Sequence, residues 1–166
     1  MIKLLIEKLP RILQNRKRLE EDLKVKIKNR GKEVYIEGGV EKEFIAEKVL
    51  EALNFGFPYS AAILLSEEGE VFEIINIKEQ TKRKDIVRIK ARIIGTKGKT
   101  IKTISGLTKC NFEIKDNDVG IIGDQEYIGN AREAILSLIK GSKQGNVYAY
   151  LEKHQIKFEP DLGLRK

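Results

Sequence analysis

Ile93-Ile94-Gly95-Thr96-Lys97-Gly98-Lys99-Thr100 is the stretch that decides how this chain folds. It ends in Gly-Lys-Thr, as a nucleotide-binding P-loop does. That motif requires a further glycine at the place held by Ile93, and the apolar residues before Gly95 read as a helix rather than a strand entering a loop. The remaining reading is a G-x-x-G loop joining two helices. Glycines at 95 and 98 carry no Cβ and let a backbone approach phosphates closely. A helix starting near Lys99 turns its free N–H groups and positive dipole end to the same place. Thr96 can donate a hydrogen bond, and Lys97 and Lys99 add charge. Bases then lie on an apolar floor expected from Ile94, Ile101, Ile104 and the edge from Phe112 to Ile114, with room for about four unpaired nucleotides.

Charge singles out the same region. From Lys78 to Lys109 there are eleven basic residues against Glu79 and Asp85, a local excess of +9 in a chain of net charge +7. The rest of the chain is therefore slightly acidic, at −2. Such a block is the footprint of a polyanion site, although a solvated lysine-rich face has the same composition. The candidate RNA contacts are Lys84, Arg88, Arg92, Ile94, Gly95, Thr96, Lys97, Gly98, Lys99, Ile101 and Lys102.

One pattern occurs twice. Val34-x-Ile36-x-Gly38 and the stripe Ala46, Val49, Leu50, Leu53 match Val119-x-Ile121-x-Gly123 and Ala131, Ala134, Ile135, Leu138 at a constant offset of 85. Upstream, Arg11 to Lys17 aligns with Arg92 to Gly98, and Val25-x-Ile27 with Phe112-x-Ile114. Two copies of one unit predict two similar domains, 1–69 and 70–166. Each reads as strand, helix, loop, helix, two strands, long helix, an α+β fold. In the second copy a strand is expected over 71–77, a basic helix from Lys84 to Ile94, strands about the turn 116–118, and a helix ended by Gly141. Phe55-Gly56-Phe57-Pro58-Tyr59 is a turn-rich junction followed by a short apolar run. The acidic turn from Ser66 to Glu70 has no partner base, so a catalytic acid pair is not expected there.

With one cysteine, Cys110, and one histidine, His154, the chain lacks the usual material for a disulfide, a zinc site or Cys-His catalysis. Cys110 reads as a small buried hydrophobe and His154 as a surface helix residue. No cofactor, metal or enzymatic activity is expected. Neither the N-terminal apolar run nor Ala61 to Leu65 has the length of a signal peptide or membrane span, so a cytoplasmic protein without a membrane partner is expected. Abundant Ile, Lys and Glu hint at a heat-adapted source. There is no tryptophan, and the basic block holds no aromatic residue on which bases could stack.

The order of elements, with Ile93-Ile94-Gly95-x-x-Gly98-Lys99-x-Ile101 between the first two helices, resembles the type I KH domain. That resemblance implies two tandem KH domains of βααββα order, each a three-stranded antiparallel sheet packed by helices. In the first copy Gln14-Asn15-Arg16-Lys17 stands where the glycines belong, and Pro10 falls in the first helix. The first domain is therefore expected to be degenerate, structural or protein-binding, although Arg16-Lys17-Arg18 still offers charge to phosphate.

A degenerate KH domain before an intact one resembles the partner-of-Nob-one family of pre-ribosomal RNA processing factors. The likeness includes Gly56-Phe57-Pro58, Arg92 to Thr100, and the tail Gly145-x-Val147-Tyr148-x-Tyr150-Leu151-Glu152; the lack of long extensions looks archaeal. It implies binding to single-stranded ribosomal RNA near the 3′ end of the small-subunit precursor. The partners it implies are the Nob-one endonuclease and the alpha subunit of translation initiation factor two. Ser142-Lys143-Gln144 and Ile101-Lys102 depart from the family's usual residues. The tail reads either as a helix packed on the second domain through Val147, Tyr148 and Leu151 or as a partner-binding segment. A general KH regulator of messenger RNA or translation, or a protein-interaction scaffold, are the alternative functions.

Gly95→Asp with Gly98→Asp is expected to abolish RNA binding, and changes at Arg16 and Lys17 to weaken it modestly. A filter-binding titration that gave the reverse order would exchange the roles of the two copies.

Overall fold

The computed structural model describes residues 1–155. The N-terminal half runs β1 (Ile2–Leu5), α1 (Leu9–Gln14), α2 (Arg16–Leu23), β2 (Lys26–Arg30), β3 (Glu33–Glu37), α3 (Val40–Phe55) and α4 (Tyr59–Ala62), closed by a 3-10 turn over Ile63–Ser66. The C-terminal half runs β4 (Glu70–Asn76), α5 (Ile77–Gln80), α6 (Ile86–Ile94), α7 (Lys99–Thr108), β5 (Asn111–Lys115), β6 (Asp118–Asp124), α8 (Ile128–Ile139) and α9 (Gln144–Lys153). Two antiparallel three-stranded sheets result, ordered β1-β3-β2 and β4-β6-β5. The α+β architecture with two KH-type βααββα units is the one expected; α5 and α9 are additions to the second.

Apolar spacing explains which helix faces turn inward. Ile89 and Ile93 of α6 and Ile104 of α7 are fully buried, as are Ala131, Ile135, Leu138 and Ile139 of α8. Two boundaries differ from expectation. The strand ends at Asn76, whose side-chain oxygen accepts from the Glu79 N–H at 3.1 Å and starts α5, while the Ile77 N–H donates to the Asn117 carbonyl at 2.8 Å. The basic helix begins at Ile86, because the Asp85 carbonyl already accepts from Arg88 and Ile89, so Lys84 lies before it.

The strand register corrects the alignment of the repeat. Ile27 pairs with Ile36, and Phe112 with Ile121, so Ile27 matches Phe112 and the offset of 85 holds through both hairpins. The residues before these hairpins agree, since Lys24 and Lys109 are both left-handed C-caps. Gly38 and Gly123 repeat as well. A Cβ on Gly38 would meet Val25 at 3.0 Å, and one on Gly123 would meet the Cys110 sulfur at 2.4 Å. Cys110 is buried, and burial pushes its thiol pKa up to about 11, so it fills space as a neutral thiol.

The halves meet through aromatic rings. Phe55 and Phe57 stack at 5.8 Å, and both meet Phe72 of β4 edge-on at 5.7 and 5.6 Å. They rest on Gly120 of β6, where a Cβ would lie 2.7 Å from Phe55 and 2.9 Å from Phe57. Ile122 and Phe72 thus join the core of the N-terminal half. Polar contacts line the same seam. The Arg11 guanidinium donates to the Gly56 and Phe57 carbonyls at 3.0 and 2.9 Å, and Lys115 meets Glu7 at 3.3 Å.

Phe57→Ala removes a fully buried ring from this seam and is expected to cost about 3–5 kcal/mol. Urea unfolding monitored by circular dichroism measures it; a loss near zero would mean the seam holds nothing together.

Candidate nucleic-acid interface

The two glycines of the loop have different duties. Gly95 ends α6, its N–H donating to the Ala91 carbonyl at 2.8 Å, with φ 76° and ψ 172°, a conformation almost confined to glycine. A Cβ there would sit 2.1 Å from the Thr100 hydroxyl and 2.7 Å from the Thr100 nitrogen. Gly95 is therefore fixed by contact with the first turn of α7. Gly98 also has positive φ, 74°, yet nothing lies within 4 Å of a Cβ placed on it. Its face is open to a ligand. Between them Thr96 is exposed and Lys97 is left-handed, with φ 54°. The Gly98 N–H donates to the Gly95 carbonyl at 3.1 Å, and α7 begins at the next residue with its positive end at the loop.

Beside the loop, Ile94, Ile101, Phe112, Glu113 and Ile114 line a groove of about 300 Å³. Ile94 is 37% exposed, which suits a surface for flat bases. Ile104, expected on this floor, is fully buried in the core instead, because it lies on the inward face of α7. The groove's wall is β5, an edge strand with one row of backbone groups outside the sheet ladder. Register places Glu113 opposite Gly120, on the face turned to the N-terminal half. Burial raises the Glu113 carboxyl above its ordinary range, and Arg11 and Lys8 oppose that rise.

Lys84, Arg88, Lys97, Lys99 and Lys102 are all exposed, and among the described residues none is in an ion pair. Arg92 differs. Its guanidinium donates to the carbonyls of Leu138 and Ser142, bracing α6 against the α8–α9 junction. Sequence reasoning missed two residues that hold the loop. Thr100 is buried beneath Gly95, and the Gln144 amide donates to the Thr100 hydroxyl at 3.1 Å and the Arg92 carbonyl at 3.0 Å. Gln144 begins α9, which buries Val147 and Leu151 against α7 and α8. No local signal links residues so far apart in the chain. His154 is exposed and stacks on Tyr150 at 4.1 Å. Among the described residues, no group of three or more His, Cys, Asp or Glu could hold a metal ion, and no helix is long and apolar enough to cross a membrane.

The first copy lacks this loop by deletion. Ile12 and Ile93 are equivalent buried residues 81 apart, whereas Leu19 and Ile104 are equivalent ones 85 apart. The missing four residues correspond to Gly95-Thr96-Lys97-Gly98. Asn15 alone separates α1 from α2, so Gln14 to Lys17 are helix ends rather than a substituted loop. Pro10 sits in the first turn of α1, where its missing N–H costs no bond. Arg16 pairs with Glu20 at 3.7 Å, and Arg18 lies near Asp22 and over the Tyr59 ring.

Fold, loop and groove together define a type I KH protein. The family model for the second KH domain of PNO1, a eukaryotic type KH-domain (KH-domain type I), matches residues 71–156, just over half of the chain. The chain is 31% identical over 145 residues to the pre-rRNA-processing protein pno1 of Aspergillus fumigatus, covering 81% of this chain and 56% of that one. It is 30% identical over 115 residues to a KH domain-containing protein of Methanocaldococcus jannaschii, covering 69% and 51%. The chain thus spans about half the length of these sequence relatives. Dim2p from Pyrococcus horikoshii superposes with a TM-score of 0.83 at 30% identity, over 92% of this chain and 98% of that one. The structure of an a/eIF2alpha–aDim2p–rRNA complex from the same organism matches at 0.82 and 31%, over 93% of each chain. The chain belongs to the partner-of-Nob-one family.

Gly95→Ala is expected to lower stability by about 2–4 kcal/mol, from collision with Thr100 added to backbone strain, and Gly98→Ala by about 1 kcal/mol from strain alone. Thermal melting of the two variants side by side checks the order.

Proposed function

We propose that this protein binds single-stranded RNA through the second KH unit and acts in small ribosomal subunit assembly, near the 3′ end of the small-subunit ribosomal RNA. The observation that carries the reading is the open side of Gly98, set between the positive end of α7 and Lys97, Lys99 and Lys102, which form no ion pair among the described residues, next to an apolar groove. Phosphates approach at Gly98 and Thr96, with Lys97 and Lys99 at their side. Bases then lie on Ile94 and Ile101 and meet the free edge of β5. Arg88 on α6 and Lys84 just before it extend the positive field, and Arg92 holds that helix in place.

We read residues 1–69 and 70–166 as two domains, the first serving as a support that binds little RNA. One structural relative forms a complex with ribosomal RNA and the alpha subunit of initiation factor two, and sequence relatives are pre-rRNA-processing proteins. The partners proposed for this chain are accordingly the small-subunit precursor, that alpha subunit and the Nob-one endonuclease. The role is binding rather than catalysis, in the cytoplasm.

The test is a titration with an RNA of the 3′-terminal small-subunit sequence against a shuffled control over a range of salt. Affinity for the first is expected to be the higher. Its logarithm should fall with log salt with a slope of about −2 to −4, the value for three to five phosphate contacts on a single strand. Gly98→Asp should abolish binding with little loss of stability. Equal affinity for both RNAs would favour a general KH regulator, and a flat salt response would remove the RNA reading.

A further inference from the structure

The N-terminal half carries a groove of opposite character to the one beside Gly98. Helix α3 exposes Val40 and Phe44, 87% and 55% accessible, one turn apart on the same face. Phe44, Ile45 and Lys48 form one wall of a groove of about 460 Å³, and the turn from Leu65 to Glu70 forms the other. Its rim bears Glu41, Glu67, Glu68 and Glu70, against Lys48 as the single cation among the described residues lining it, whose ammonium lies over the Phe44 ring at 4.4 Å. A net charge of −3 is thus held around exposed apolar surface in a chain whose total is +7. At the end of the groove, one carboxylate oxygen of Glu70 is buried with no hydrogen-bond partner among the described residues. Burial comes first among the causes that raise the Glu70 carboxyl above its ordinary range, followed by the charges of Asp124 and Glu67. A buried carboxylate oxygen left unbonded is costly.

These features select the occupant by charge. RNA is repelled by four carboxylates, and an acidic peptide is repelled equally. An apolar side chain gains by covering Phe44 and Ile45, and a neighbouring lysine or arginine reaches the rim and Glu70. We infer that this groove is a docking site for a basic, partly apolar segment of a partner protein, seated by an apolar anchor against Phe44 and by cations at Glu41, Glu67, Glu68 and Glu70. The site is separate from the Gly98 groove and does not depend on the RNA reading. It gives the half without a loop its own binding chemistry.

The experiment uses the full chain labelled with ¹⁵N and three synthetic peptides as probes. One alternates Arg and Leu, one alternates Arg and Ser, and one alternates Glu and Leu; oligouridylate is titrated separately. The Arg-Leu peptide is expected to shift the amides of residues 41–48 and 65–70. Glu67→Lys with Glu68→Lys, and separately Phe44→Ser, are each expected to weaken it about tenfold, the effect of losing one well-placed contact. Affinity for oligouridylate should stay unchanged in both variants. All three substitutions are at exposed positions; should Phe44→Ser fail to fold in a melt, the charge-reversed pair decides alone. Equal affinity for the Arg-Ser peptide would overturn the proposal, since charge alone would then suffice. Binding that neither variant weakens would also overturn it, as would shifts from oligouridylate at residues 41–48.

Discussion

Gly120 is where two halves of the molecule become one. Because that residue has no Cβ, Phe55 and Phe57 pack closely against β6, and Phe72 closes the cluster from the next strand. A side chain there would hold the rings off and open the seam. The groove beside Gly98 depends on this contact, because its wall, β5, is bonded on one side only. Behind that wall Glu113 meets the Lys8 and Arg11 charges, while Arg11 is fastened to the Gly56 and Phe57 carbonyls. The half that has lost its loop therefore stiffens an edge strand that would otherwise be free to fray.

Much of this is legible in the sequence, since its signals are local and strong. The apolar stripes mark the helices, the alternating runs mark the strands, and Ile93 rules out a P-loop. What stays hidden depends on pairing or distance. The alignment of Val25-x-Ile27 with Phe112-x-Ile114 is two residues out, and a slip of two keeps every side chain on the same sheet face, so an alternating pattern cannot expose it. Only the pairs Ile27–Ile36 and Phe112–Ile121 fix the register. The slip also conceals the deletion in the first copy, which reads as four substitutions. Gln144 bonds to the backbone of Arg92 and the hydroxyl of Thr100 across gaps of 52 and 44 residues. Arg92 reads as one more cation of the basic block, and only the folded chain shows its donors taken by carbonyls.

Pairing of charge also distinguishes particular cations of the two copies. In the N-terminal half, Lys3, Arg16, Arg18 and Lys28 each have a carboxylate within 4 Å. The cations around Gly98 have none among the described residues. Exposed pairs of this kind add little to stability. Their effect here is to reduce the positive potential of one half, while the other keeps its charge available to a polyanion. The +9 block is thus more than a composition bias, because among the described residues the fold leaves Lys84, Lys97, Lys99 and Lys102 without a carboxylate partner.

Deletion of the loop has a further physical consequence. In the second unit, α6 and α7 are separated by a turn whose glycine has an open face and where the positive end of α7 meets solvent. In the first, α1 runs into α2 through Asn15, whose side-chain amide donates to the Arg11 carbonyl at 2.8 Å and whose own carbonyl accepts from Leu19 at 2.8 Å. That join offers no left-handed glycine and no room for a phosphate between the helices. Replacing single residues of Gln14 to Lys17 by glycine cannot restore a grip there, because the missing element is length of chain. Away from that join, the first unit presents carboxylates around Phe44.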